Sequence, residues 1–60
     1  MGDKLVEFYV KAEQMGGFKA KMRLAVITKI PSNKAQSEPD TPENVAKFND
    51  AMTKLKQEFN

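Results

Sequence analysis

The chain has 60 residues, a net charge of +2, and neither cysteine nor histidine. These two absences exclude disulfide bonds and the usual zinc sites, together with the commonest general base and the most nucleophilic side chain. A chain of this length forms one domain, residues 1–60, and buries only roughly 60% of the surface that its unfolded form exposes. Because such small domains often need self-association for stability, we expect a homo-oligomer.

The first segment, residues 3–15, fits two patterns. Asp3 is a suitable helix cap, and the apolar residues that follow it fall on one helical face. These residues are Leu5, Phe8, Tyr9, Ala12 and Met15. Within residues 5–13, however, apolar and polar residues also alternate as in a half-buried strand. We prefer the helix, and the strand remains the alternative.

Gly16 and Gly17 interrupt the chain, either as the end of a helix or as the turn of a hairpin. Strong helix formers open the next segment, whereas the β-branched residues Val26 and Ile27 near its end favour a strand. Read as a helix over residues 18–29, the segment is apolar on two nearly opposite faces. A helix of that kind belongs between neighbours or at a subunit interface.

Pro31 ends this element because the residue before a proline is excluded from the helical region. Residues 31–40 are mostly polar, and we interpret them as a mobile loop without a function of its own. Thr41 then provides an N-cap, Pro42 a favoured first helical position and Glu43 a negative charge in the first turn. A single apolar seam follows, so the sequence predicts a helix over residues 42–59.

The predicted fold is therefore all-α, a small three-helix bundle of residues 3–15, 18–29 and 42–59 that dimerises. We expect the dimer to form through the middle segment and the final helix. The candidate interface residues are Phe18, Met22, Leu24, Val26, Phe48, Met52, Leu55 and Phe59. The alternative is a ββα homodimer, with a hairpin of residues 5–13 and 20–29 crossed by the final helix.

No catalytic, cofactor or metal motif is present, so we expect a protein that is not an enzyme and binds no cofactor. Glu38, Asp40 and Glu43 are close in sequence, but they lack the alternating ligands and the glycine of a calcium loop. We attribute these acids to loop polarity and helix capping.

The basic segment between Gly16 and Ser37 contains five cations and no acid. The cations are Lys19, Lys21, Arg23, Lys29 and Lys34. They could contact nucleic acid or another anion, or they could only keep an apolar element in solution by extending their charges into water. On a helical wheel Lys19 and Arg23 fall together and Lys21 lies on the far side, which favours the second interpretation.

We expect a small cytoplasmic protein that acts as a homodimeric protein-interaction or adaptor module for an unidentified protein partner. The longest apolar run is far shorter than the roughly 20 residues of a membrane helix, and the N-terminal segment lacks the pattern of a signal peptide. The alternative function is a nucleic-acid-binding or anion-binding module that uses the basic segment.

Overall fold

The computed structural model describes residues 3–59, and within that range it contains helices and no strand. The helices are α1 (Asp3–Thr28), α2 (Ser32–Ala35) and α3 (Pro42–Glu58). The all-α prediction is confirmed, and the alternative hairpin of residues 5–13 and 20–29 is wrong. Its alternating pattern fails because Leu5, Tyr9 and Ala12, at helical spacing, are the residues that the first segment buries.

Helix α1 covers both of the first two predicted helices and bends sharply between them. The backbone is non-helical at Gly16 (φ −148°, ψ 18°) and Gly17 (φ 68°, ψ −149°). A straight helix of the same length, 26 residues, would measure about 39 Å, but the longest dimension of the molecule is 29 Å. The glycines therefore divide α1 into a first arm, residues 3–15, and a second arm, residues 18–28.

The two arms fold back towards each other. The Tyr9 hydroxyl donates a hydrogen bond to the carbonyl oxygen of Ile30, 21 positions later in the chain. In a straight helix, groups so far apart in sequence would be separated by about 31 Å. Nearer the bend, the Lys21 ammonium lies 3.1 Å from the Glu13 carboxylate. These contacts join the first arm to the second arm near the bend and to the chain just beyond the end of the second arm.

The core lies between the two arms and α3. Phe48 of α3 is at its centre, with no solvent-exposed surface. The Phe8 ring stacks on Phe48 at a centroid distance of 5.4 Å, and the Tyr9 ring meets it edge-on at 5.8 Å. The other buried apolar residues are Leu5, Ala12, Ala20, Leu24, Ile30, Ala35, Ala51, Met52 and Leu55.

The connection between α1 and α3 is only partly the loop that the sequence predicts. Residues Ser32–Ala35 form the short helix α2, and Ala35 is buried, which anchors this turn to the core. The start of α3 is as predicted, because the Thr41 hydroxyl accepts a hydrogen bond from the Asn44 amide at 3.2 Å and Pro42 is the first helical residue. Thus local capping signals define α3, whereas a tertiary contact stabilises α2.

We expect burial of the Tyr9 hydroxyl to make the free energy of unfolding fall at alkaline pH. Burial raises the pKa of Tyr9 above its ordinary value of 10.0, and the nearby Thr28 hydroxyl offsets part of that rise. The folded protein therefore favours the neutral phenol, and this contribution is complete below pH 10 and lost as the pH rises through the elevated pKa. Urea denaturation at a series of pH values between neutral pH and pH 11 measures this loss of stability.

The matched variant is Tyr9→Phe, which keeps the ring and removes the ionisable group. At neutral pH it should destabilise the protein by about 1 kcal/mol because one buried hydrogen bond is lost. Above pH 10 the difference in free energy of unfolding between the two proteins should become smaller. An equal loss of stability in both proteins throughout the alkaline range would show that Tyr9 ionisation has no part in it.

Candidate interaction surface

The second arm of α1 presents a row of large apolar side chains to solvent. Phe18, Met22 and Val26 are 72%, 53% and 62% exposed. Residues four positions apart lie on the same face of a helix, so these three form one continuous feature, which we call the apolar stripe. The opposite face of the same arm packs into the core through Ala20 and Leu24.

An outward apolar face is unusual for a helix at the surface of a small domain. Such helices normally place charged and polar residues on the face that points away from the core. Contiguous exposed apolar surface with a polar surround marks sites of interaction. The apolar stripe is therefore the main candidate for a binding site on this molecule.

Two adjoining depressions lie beside the apolar stripe, and we refer to them together as the cleft. One is about 160 Å³ and lies between the second arm, at Met22 and Ala25, and Pro31. The other is about 250 Å³ and is lined by the first arm, including Val10, which is 53% exposed. Both share Tyr9, Lys21 and Ser32 in their walls. The apolar surface thus continues from a convex stripe into a concave region.

The five cations of the basic segment do not form one patch. Lys21 and Arg23 are two positions apart on the second arm, so they project to opposite sides of it. Lys21 pairs with Glu13, and Arg23 pairs with Glu58 at 3.1 Å. Within residues 3–59, Lys19, Lys29 and Lys34 have no such ion pair. Lys19, Lys21 and Arg23 lie on the second arm, Lys29 directly follows it and Lys34 lies on α2. We call these five cations the basic rim.

The structure divides the predicted interface residues into two groups. Leu24, Phe48 and Leu55 have no exposed surface, and Met52 has only 8%. They belong to the core of the single chain because the seam of α3 packs against α1. Phe59 is half-buried against the bend of α1. A partner can therefore reach the apolar stripe without opening the fold, but it cannot reach Leu24, Phe48, Met52 or Leu55.

Sequence reasoning did not identify Val10 or the walls of the cleft. Val10 could have been found, because it falls outside the buried helical face of Leu5, Tyr9 and Ala12. Tyr9, Pro31 and Ser32 meet only because the arms fold back on each other. No local pattern in the sequence reports that contact.

The ionisable groups in the cleft are already engaged within the fold. Glu13 and Lys21 pair with each other, and the Tyr9 hydroxyl donates to Ile30. Elsewhere in the described chain, Asp40 accepts a long hydrogen bond of 3.5 Å from the Lys4 amide. Across residues 3–59, no three acidic, histidine or cysteine side chains come together as a metal site would require.

Comparison with known proteins does not assign a family or a function to the chain. No protein-family model matches the chain, and neither a curated protein nor a solved structure shows significant similarity to it. In the part of the chain that the structure describes, no helix has the length and apolar character needed to cross a membrane. Function must therefore be inferred from the apolar stripe, the cleft and the basic rim.

Proposed function

We propose that the protein is a non-enzymatic interaction module that binds another protein through the apolar stripe and the cleft. The observation that carries this proposal is the exposure of three large apolar side chains in a row on a helix whose other face is fully used by the core. Burying one such side chain contributes roughly 1.5 to 3 kcal/mol. Three of them can offset a substantial part of the unfavourable entropy of association.

The arrangement around the stripe supports a protein partner. Protein interfaces combine an apolar centre with a polar, solvent-accessible rim. Here Phe18, Met22 and Val26 supply the centre, and the cations that flank the second arm supply the rim. The cleft adds a concave neighbour into which a partner side chain can fit, as at the energetically dominant positions of known interfaces.

The chemistry of the cleft supports binding over catalysis. A catalytic acid, base or nucleophile must be available to a substrate at hydrogen-bonding distance. The ionisable groups of the cleft are Tyr9, Glu13 and Lys21, and each is paired within the fold. Their role in this proposal is to hold the two arms together and so to keep the cleft open.

A homodimer through the same stripe is the second form of the proposal. An antiparallel pair would place Met22 against its copy and Phe18 against Val26, which would cover the apolar surface. It would also bring two basic rims together, and like charges across an interface oppose binding. For this reason we favour a different protein as the partner.

Nucleic acid has weaker support as a partner. Lys19, Lys29 and Lys34, which have no ion pair among residues 3–59, are suitable for phosphate contacts. The apolar stripe, however, occupies the centre of the same surface, and protein–DNA interfaces are more polar than protein–protein interfaces. A nucleic acid bound here would leave Phe18 and Met22 without apolar partners.

Site-specific photo-crosslinking tests the proposal. A photoreactive phenylalanine analogue replaces Phe18 in one variant and Ala46, an exposed residue of α3, in the control. We expect a crosslink to a protein in cells that express the chain, formed from position 18 and absent from position 46. Equal crosslinking from both positions, or none from position 18, would contradict an interaction through the stripe.

A further inference from the structure

The charge around the apolar stripe identifies the kind of partner that it fits. We infer that the partner presents an acidic amphipathic helix, with its apolar face on the stripe and its carboxylates against the basic rim. This inference rests on the proposed function, because it assigns a chemistry to the protein that the stripe binds.

The first support is the sign of the charge on this side of the molecule. The segment from Gly16 to Ser37 contributes five cations and no acid. Two of these cations are paired with acids from other elements, namely Glu13 and Glu58. Among the described residues, the remaining three have no ion pair. By helical spacing, the cations that flank the stripe on the second arm are Lys19, Lys21 and Arg23, and that arm carries no acid. Complementary charge on a partner would favour binding and set its orientation.

The second support is the shape of the surface. The stripe runs from residue 18 to residue 26, which corresponds to about 12 Å, or roughly two turns of helix. A partner helix with apolar residues at spacings of three and four positions presents a seam of the same length. The cleft beside Met22 and Ala25 then accepts one side chain of that seam. Flexible Met22 can adjust its packing to this side chain.

These observations favour an acidic helix over the other possible occupants. A second copy of the chain would bring a second set of the same flanking cations to the interface, where like charges oppose binding. A nucleic acid would satisfy the charge but has no apolar face to cover the stripe. An anionic membrane would satisfy the charge and the convex stripe, but the stripe is short and lipid does not require the concave cleft.

Binding of three synthetic peptides tests the inference. Each has about 18 residues, long enough for helix formation, and leucines at the same amphipathic spacing. The remaining positions are mainly glutamate in the first peptide, glutamine in the second and lysine in the third. Fluorescence anisotropy should show that the glutamate peptide binds roughly 10-fold more tightly than the glutamine peptide, and the lysine peptide most weakly. This preference should shrink between about 50 mM and 500 mM salt because the charges are screened.

Two sets of substitutions assign the binding to the stripe and to the rim. Phe18→Gln, Met22→Gln and Val26→Gln, combined in one protein, retain good helix formers and should weaken glutamate-peptide binding by about 30-fold or more. Lys19→Gln with Lys29→Gln should weaken it by roughly 3- to 10-fold. The matched control is Lys47→Gln with Lys54→Gln, which removes the same charge from exposed positions of α3 and should leave the affinity unchanged.

Several outcomes would overturn the inference, and they separate it from the proposed function. Equal binding of the glutamate and glutamine peptides, with no effect of salt, would leave an apolar docking site without a preference for acid. If no peptide binds while the crosslink from position 18 is obtained, the acidic helix is the wrong partner but the proposed function stands. Stripe-dependent binding of phosphatidylserine vesicles without binding of the glutamate peptide would identify a membrane surface as the partner of the stripe. A stable dimer that excludes the peptide would assign a second copy.

Discussion

Phe48→Ala is expected to leave little of the protein folded at room temperature. The Phe48 ring is fully buried and contacts the rings of Phe8 and Tyr9, so its removal opens a cavity that α1 and α3 cannot close without losing other contacts. Such a change in a core destabilises by about 3 to 5 kcal/mol. A single core of this size supplies about that much stability in total. Far-UV circular dichroism during urea or thermal denaturation measures the loss.

The matched control for this prediction is Phe18→Ala, the same substitution on the apolar stripe. Phe18 is 72% exposed, so its ring contributes little to folding, and the change in stability should lie within about 0.5 kcal/mol. Comparable destabilisation by the two substitutions would show that Phe18 is part of the core. In that case the stripe would not be an exposed surface.

Gly17→Ala is expected to destabilise the protein by about 1 to 3 kcal/mol, because it places a side chain on backbone that only glycine adopts readily. The backbone at Gly17 has φ 68° and ψ −149°. No atom lies within 4 Å of the position that a Cβ would occupy, so the effect comes from backbone strain and not from a clash. Urea denaturation of the variant provides the value.

Gly16 provides the contrast, because its restriction is steric. A Cβ at Gly16 would lie 2.5 Å from Cδ2 of the Phe59 ring, while its φ of −148° is accessible to any residue. Removal of the ring by Phe59→Ala should therefore relieve the effect of Gly16→Ala but leave that of Gly17→Ala unchanged. If Phe59→Ala reduced the destabilisation by Gly16→Ala and by Gly17→Ala equally, backbone strain at Gly17 would be the wrong explanation.

Local signals in the sequence predict much of this fold. Thr41, Pro42 and the apolar seam beyond them predict α3 within one residue of its observed end. Gly16 and Gly17 mark the bend of α1. The second arm ends at Thr28, one residue before the prediction, because Lys29 adopts a left-handed conformation with φ 62°.

The sequence does not show which of the two apolar faces of the second arm packs into the core. The second arm carries Phe18, Met22 and Val26 on one side and Ala20, Leu24 and Ile27 on the other, and both sets are apolar. The structure turns Ala20 and Leu24 to the core. This choice depends on contacts between distant parts of the chain.

The same limitation applies to the candidate site. Lys19, Arg23 and the other cations are visible in the sequence as a basic segment, but their position beside an exposed apolar stripe is not. The cleft depends on contacts between Tyr9 and the chain near Ile30, which no short motif encodes. The candidate interaction surface therefore emerges only when the arms of α1 are folded together.

The most direct test of an interaction through the stripe is the affinity of the partner recovered by crosslinking. Isothermal titration calorimetry would compare the unmodified chain with the variant that combines Phe18→Gln, Met22→Gln and Val26→Gln, after circular dichroism has shown both to be folded. We predict that the variant binds at least about 30-fold more weakly, because the apolar centre of the interface is gone. An unchanged affinity in a folded variant would contradict the proposed function.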